Sequence, residues 1–163
     1  MESLSDLRPF KFDYADLPGV VYYFWMSKYV LANFKSDDYS IEVKLDNSGF
    51  GPHWGGMFVE LKDNEGNKKA LCHAGLVCHP NTEIGICFEI DRFFNTENYQ
   101  KIWDGINPAP GFDLNKNEPD YLKLFFPKDQ LDDIMNSANV DKQISMLIKY
   151  FNVCFSAIFK AAN

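Results

Sequence analysis

Hydrophobic and polar residues alternate strictly from Ser40 to Asp46, with Ile41, Val43 and Leu45 on one side and Glu42 and Lys44 on the other. Successive side chains on a strand project to opposite faces, so this period of two predicts a strand with one buried face. A glycine-rich loop, Asn47 to Gly55, leads into a second strand, Gly56 to Lys62. The polar stretch Asp63-Asn64-Glu65-Gly66-Asn67 reverses the chain into a third, Lys69 to His79, so these two form an antiparallel hairpin. Pro80-Asn81 turns it again into Ile84 to Ile90, where Ile84, Ile86, Phe88 and Ile90 alternate with Gly85, Cys87 and Glu89. Together these predict a meander of about four strands.

Elsewhere the period is helical. Asp16 before Leu17-Pro18 reads as a helix start, and Leu17, Val20, Phe24, Leu31 and Phe34 line one stripe, with a short strand from Val20 to Met26 as the rival. Asn95 or Thr96 caps a short helix through Ile106, on which Tyr99, Ile102, Trp103 and Ile106 recur at helical spacing. Asn107-Pro108-Ala109-Pro110-Gly111 then interrupts all regular structure, a fifth strand runs from Tyr121 to Phe126, and Pro127 to Asn136 suits a short helix. Val140, Ile144, Leu147, Phe151, Cys154 and Ile158 trace the stripe of a last helix, opposite Lys142, Gln143, Ser145, Lys149, Asn152, Ser156 and Lys160. The expected fold is α+β: an antiparallel sheet of about five strands, with an N-terminal helix and C-terminal helices on one face. Residues 1–163 are expected to make a single domain.

Charge narrows the function classes. With 16 basic and 23 acidic side chains the formal charge is −7, which opposes nonspecific nucleic-acid binding. The segment from Glu83 to Asp120 concentrates it, with eight carboxylates against Arg92, Lys101 and Lys116. Such a face is either ordinary solvated surface or a docking patch for a basic partner. Cys72, Cys78, Cys87 and Cys154 form no CxxC and sit in apolar runs, which places the protein in a reducing, cytoplasmic setting. Val20 to Phe34, the longest apolar run, is broken by Ser27-Lys28 and is too short to span a bilayer, so no membrane is expected.

Cys72-His73 and Cys78-His79 repeat metal-favoured side chains six residues apart. On a strand, Cys72 and Cys78 share one face and His73 and His79 the other, with the members of each pair roughly 20 Å apart. One zinc ion holds its donors at about 2.0–2.3 Å, so no metal or other cofactor is expected, with thiols inward and imidazoles outward to solvent. Only a bulge near Gly75 that brings His53, His73 and a cysteine together changes this. A thiolate at Cys87 activated by His73 or His79 across adjacent strands is a further option.

Asp46, Glu60 and Lys62 could instead hold a divalent cation and orient water, as a metal-dependent phosphodiesterase requires. Their spacing resembles the Asp…Glu-x-Lys signature of the restriction-endonuclease-like nucleases, which implies a metal-dependent hydrolase. Alternation, however, sets Glu60 and Lys62 on a solvent face, where a cross-strand ion pair accounts for them.

Two loops carry recognition-type side chains: Phe50, His53 and Trp54 in the first, Phe112 and Asp113 in Asn107 to Asn115. They either bind a partner or fold back to close the ends of the core. No motif states what the protein does. The leading expectation is a non-enzymatic module that binds another protein, a basic one by charge, through aromatic loops and an acidic surface. The alternatives are the hydrolase on Asp46, Glu60 and Lys62, and a site for a small apolar or aromatic ligand between residues 47–56 and 107–115.

Overall fold

The computed structural model describes residues 28–50, 54–77, 85–126, 134 and 136–163. In chain order the elements are helix α1 (residues 28–32), strands β1 (Ser40–Phe50), β2 (Trp54–Lys62), β3 (Lys68–Val77) and β4 (Gly85–Asp91), a 3-10 turn (Arg92–Phe94), helix α2 (Tyr99–Gly105), strands β5 (Asp113–Glu118) and β6 (Tyr121–Phe126), and helix α3 (Val140–Ala162). The six strands form one sheet in the order β1-β2-β3-β4-β6-β5, with every neighbouring pair antiparallel. The fold is therefore α+β, with one strand more than the alternation predicts.

Register follows the pattern. Val59 faces Cys72, Leu61 faces Ala70, Ala74 faces Phe88 and Phe88 faces Leu124, so one apolar row crosses the inner strands. That row packs under α3, whose Leu147, Phe151, Cys154, Phe155 and Ile158 are buried with it in one core. Val30 and Leu31 of α1 and Ile102 of α2 join the same core. The turn between β2 and β3 closes because Asp63 accepts from the backbone N–H of Glu65 (3.0 Å) and Asn67 (2.8 Å). Gly66 supplies the positive φ of 86° that such a reversal needs and other residues resist.

The extra strand is β5, Asp-Leu-Asn-Lys-Asn-Glu, half of which lies inside the loop expected over 107–115. Only Leu114 is apolar, so no hydrophobic period marks it. Backbone pairing to β6 makes it a strand, and polar side chains suit an outer strand that must not recruit other chains. The expected loop Asn47 to Gly55 is likewise mostly strand, because β1 runs on to Phe50 and β2 begins at Trp54, with an irregular register between Lys44 and Gly49.

The helix expected from Asn95 or Thr96 begins only at Tyr99. On α3 the stripe is shifted: Val140 is exposed, whereas Gln143, expected on the polar face, is buried with its amide on the Ser137 carbonyl (2.9 Å). Val140 lies five whole turns before buried Ile158 and on the same line, so its exposure follows from its place in the first turn of the helix and not from the face it is on. Although 23 residues long and apolar enough to cross a bilayer, α3 gives its largest side chains to the core. Residues 16–27, 78–84 and 127–133, which hold most of the first predicted helix, the Cys78-His79 pair and most of the helix expected from Pro127, lie outside the described residues.

Candidate functional site

Pleat parity holds across β3. Cys72 belongs to the core under α3, and His73 projects to the opposite, outer face of the sheet. His73 is not solvated as expected; it is only 6% exposed. A local gap makes this possible. Gly56 lies opposite Gly75, and a Cβ added to Gly56 would come within 2.6 Å of both His73 Nε2 and the Ala74 carbonyl oxygen. The imidazole therefore occupies the space that a side chain at 56 would take, beside Phe58 with ring centroids 5.3 Å apart. Two glycines in facing strands thus bury a histidine.

Burial holds the His73 imidazole at about 4, below its ordinary 6.5. A histidine with a depressed folded value adds stability above pH 6.5, and that stability is lost as the pH falls toward 4, because the unfolded chain takes up the proton first. At 1.36 kcal/mol per tenfold the difference is roughly 3 kcal/mol. Chemical denaturation between pH 6.5 and 4.5 should show wild type losing stability more steeply than His73→Gln. Parallel profiles would show that the imidazole is not protected.

Beside it, Cys87 is fully buried and its thiol is pushed up, by burial first and then by Glu89. His73 faces Glu89 directly and Cys87 only diagonally, and a protonated, buried thiol is a poor nucleophile. Among the described residues no three of His, Cys, Asp and Glu are placed to hold a metal ion. His53, needed for the bulged zinc arrangement, lies outside them.

Glu60 and Lys62 meet partners across the β1–β2 pair. Lys44 contacts Glu42 (2.6 Å) and Glu60 (3.4 Å), while Lys62 contacts Glu60 (3.3 Å) and Glu42. The hydrogen bonds from Lys44 and Lys62 hold the Glu42 carboxyl down at about 2. This closed square of two acids and two bases neutralises the carboxylate that a metal would need. Glu60 faces Glu42 in the register, and Asp46 is four residues further along β1, about 13 Å at 3.3 Å per residue. The register does not bring Asp46 and Glu60 to one ion.

The two predicted aromatic loops do not converge. Trp54 opens β2 and Asp113 opens β5, four positions apart in the sheet, about 19 Å at about 4.8 Å per strand. Phe112 is only 5% exposed and packs on Phe126 (4.9 Å), Phe88 (5.7 Å) and Tyr150 (5.9 Å), so it closes the core. Asp113 is exposed. Phe50 and Trp54 are placed by their strands alone, and His53 lies between them outside the described residues.

Recognition-type side chains stand elsewhere, on the 3-10 turn after β4. Phe93 is 69% exposed and Phe94 44%. The turn beneath them is held on several sides. Asp91 accepts from the Phe93 N–H (2.7 Å), the Arg92 N–H donates to the Asp120 carbonyl (2.9 Å), and Lys68 Nζ donates to the Phe94 carbonyl (3.2 Å). Asn95 completes the anchor, donating to the Asp91 carbonyl (2.8 Å) and bonding both backbone groups of Leu71 in β3. Phe94 also rests edge-on against Phe58 (5.5 Å).

Carboxylates surround this turn. Arg92 pairs with Asp120 (3.3 Å), and Lys123 with Glu118 (3.2 Å) and Glu89 (3.5 Å). The hydroxyl of nearby Tyr121 is pushed up by burial and then by Asp91, Glu89, Asp120 and Glu118, which reports a negative local field. In the sequence, the sign of this site is two adjacent aromatics after a strand's alternation has ended, between an aspartate and an asparagine that can bond backbone. Compared with known protein families, curated proteins and solved structures, the chain matches none.

Proposed function

We propose that the protein is a recognition module that binds another protein, with Phe93 and Phe94 as its apolar anchors and the carboxylates of Glu89, Asp91, Glu118 and Asp120 as their surround. The observation that carries this reading is two solvent-exposed phenylalanines on a turn fixed by backbone hydrogen bonds. Exposed aromatics on a loose loop lose freedom when they bind, whereas a pre-organised turn avoids that cost. Covering the part of the two rings that is exposed is worth about 2–3 kcal/mol, the scale of an interface hot spot. The matching partner has an apolar pocket rimmed by basic groups. The buried free thiols Cys72, Cys87 and Cys154 fit the reducing compartment in which this partner is sought. Neither the hydrolase on Asp46, Glu60 and Lys62 nor a ligand between the two loops gains a comparable observation.

A photocrosslinking side chain at position 93, compared with one at exposed Lys35, tests this in native cells. Position 93 should give a discrete crosslinked species that position 35 does not, and Phe94→Ser should remove it while the variant stays folded by circular dichroism. Identical crosslinking patterns from both positions would overturn the reading.

A further inference from the structure

We propose that the exposed face of α3 is a second docking surface, separate from the Phe93 turn, which takes an acidic, extended segment of a partner protein. Lys142, Lys149 and Lys160 are all exposed and lie seven and eleven residues apart. At 3.6 residues per turn they fall within about 20° of one another, a ridge about 27 Å long. Among the described residues none of the three forms an ion pair, while eight other pairs join Lys44, Lys62, Lys69, Arg92 and Lys123 to acids elsewhere. From Val140 to Asn163 the only carboxylate side chain is Asp141, so a basic stripe stands on a chain of net charge −7. One lysine near a helix C-terminus is ordinary; three in line over five turns exceed what the helix dipole calls for.

A cleft adjoins the ridge. About 550 Å³ opens between the C-terminal half of α3 and residues 105–110, bounded by Asn152, Ser156 and Lys160 on one side and Gly105, Pro108 and Pro110 on the other. Its polar wall is set in advance. The Tyr39 hydroxyl lies 3.1 Å from Asn152 Oδ1 and 3.3 Å from Ser156 Oγ, and the Ser156 hydroxyl donates to the same Asn152 oxygen (3.2 Å), which fixes these polar groups in place. Lys160 belongs to both ridge and cleft, so a carboxylate seated in the cleft meets a cation, and a chain running on along α3 meets Lys149 and then Lys142. An extended segment of eight or nine residues covers that distance at 3.3 Å per residue.

The charge pattern favours a peptide over a polyanion. Phosphate backbones are held by many cations at once, and here three lysines face the repulsion of an otherwise acidic protein. Leu147, Phe151, Phe155 and Ile158 of α3 are committed to the core, and the large apolar side chains it leaves exposed, Val140 and Ile148, lie roughly 120–160° around the helix from the lysines, so the ridge does not border a continuous apolar face that could enter lipid.

Random ten-residue peptides displayed on phage and selected on the full chain test the proposal. The expected result is enrichment of Asp- and Glu-rich sequences. Synthetic versions should bind Lys149→Glu/Lys160→Glu at least tenfold more weakly, and should also weaken on Ala157→Trp, which fills the cleft. Because the two lysines are exposed, the double variant keeps its fold even if the tryptophan does not. No enrichment, enrichment without acidic bias, binding indifferent to the charge reversals, or equally tight binding of duplex DNA would each overturn the proposal.

Discussion

Asn95→Ala should destabilise the protein by about 4 kcal/mol, a large loss for a change beside a surface turn. The reason lies in what its amide replaces. The β3–β4 register runs from Val77 opposite Gly85 to His73 opposite Glu89, and two positions beyond it Asn95 bonds the backbone of Leu71 with its side chain. Its Oδ1 accepts from the Leu71 N–H (2.6 Å) and its Nδ2 donates to the carbonyls of Leu71 (2.9 Å) and Asp91 (2.8 Å), so a carboxamide does the work of a peptide group. Truncation leaves three backbone groups without partners at a buried position, each costing about 1–3 kcal/mol. Asn95→Asp makes the test sharper. Its carboxylate would face two carbonyl oxygens, which raises its folded pKa above the unfolded value. The variant's deficit is therefore greatest at neutral pH and shrinks as the pH falls through that raised value. Urea denaturation at pH 7 and pH 5 measures both effects. Stability within 1 kcal/mol of wild type for Asn95→Ala would show that water substitutes for the amide.

Phe151→Ala should cost a further about 3–5 kcal/mol in a separate variant, the range for truncating a buried aromatic. Phe151 is 1% exposed and meets Phe88 edge-on at 5.2 Å and Phe155 at 5.9 Å. Phe88 in turn touches Phe112 and Phe155, so the cavity would open where α3, β4 and the 107–112 segment meet. Phe151→Leu, which keeps most of the volume, should lose much less. If the alanine variant unfolded at the parental denaturant midpoint, α3 could not be the cover of this sheet.

Alternation at Ile41 and Val43, at Ile86, Phe88 and Ile90, and the stripe through Leu147, Phe151, Cys154 and Ile158 all appear in the structure as the sequence pattern requires. Each reflects a local periodicity meeting a buried surface, and such a signal survives any choice of neighbours. The cross-strand role of Glu60 and Lys62 was legible for the same reason, since parity alone sends them outward to Glu42 and Lys44.

The amino-acid pattern by itself thus determined which faces are apolar, where the main reversals fall and that helices cover an antiparallel sheet. Tertiary structure decided the rest. β5 is a strand because β6 offers it a backbone edge, which its own polar residues do not announce. Phe112 sits in the core while Phe93 stands in solvent, although both are phenylalanines in non-helical segments; the difference is that Phe112 faces Phe88 and Phe126. His73 is buried because the register sets Gly56 against Gly75 and frees the volume its ring fills. Periodicity specifies a direction from the backbone, and only the assembled neighbours specify what waits in that direction.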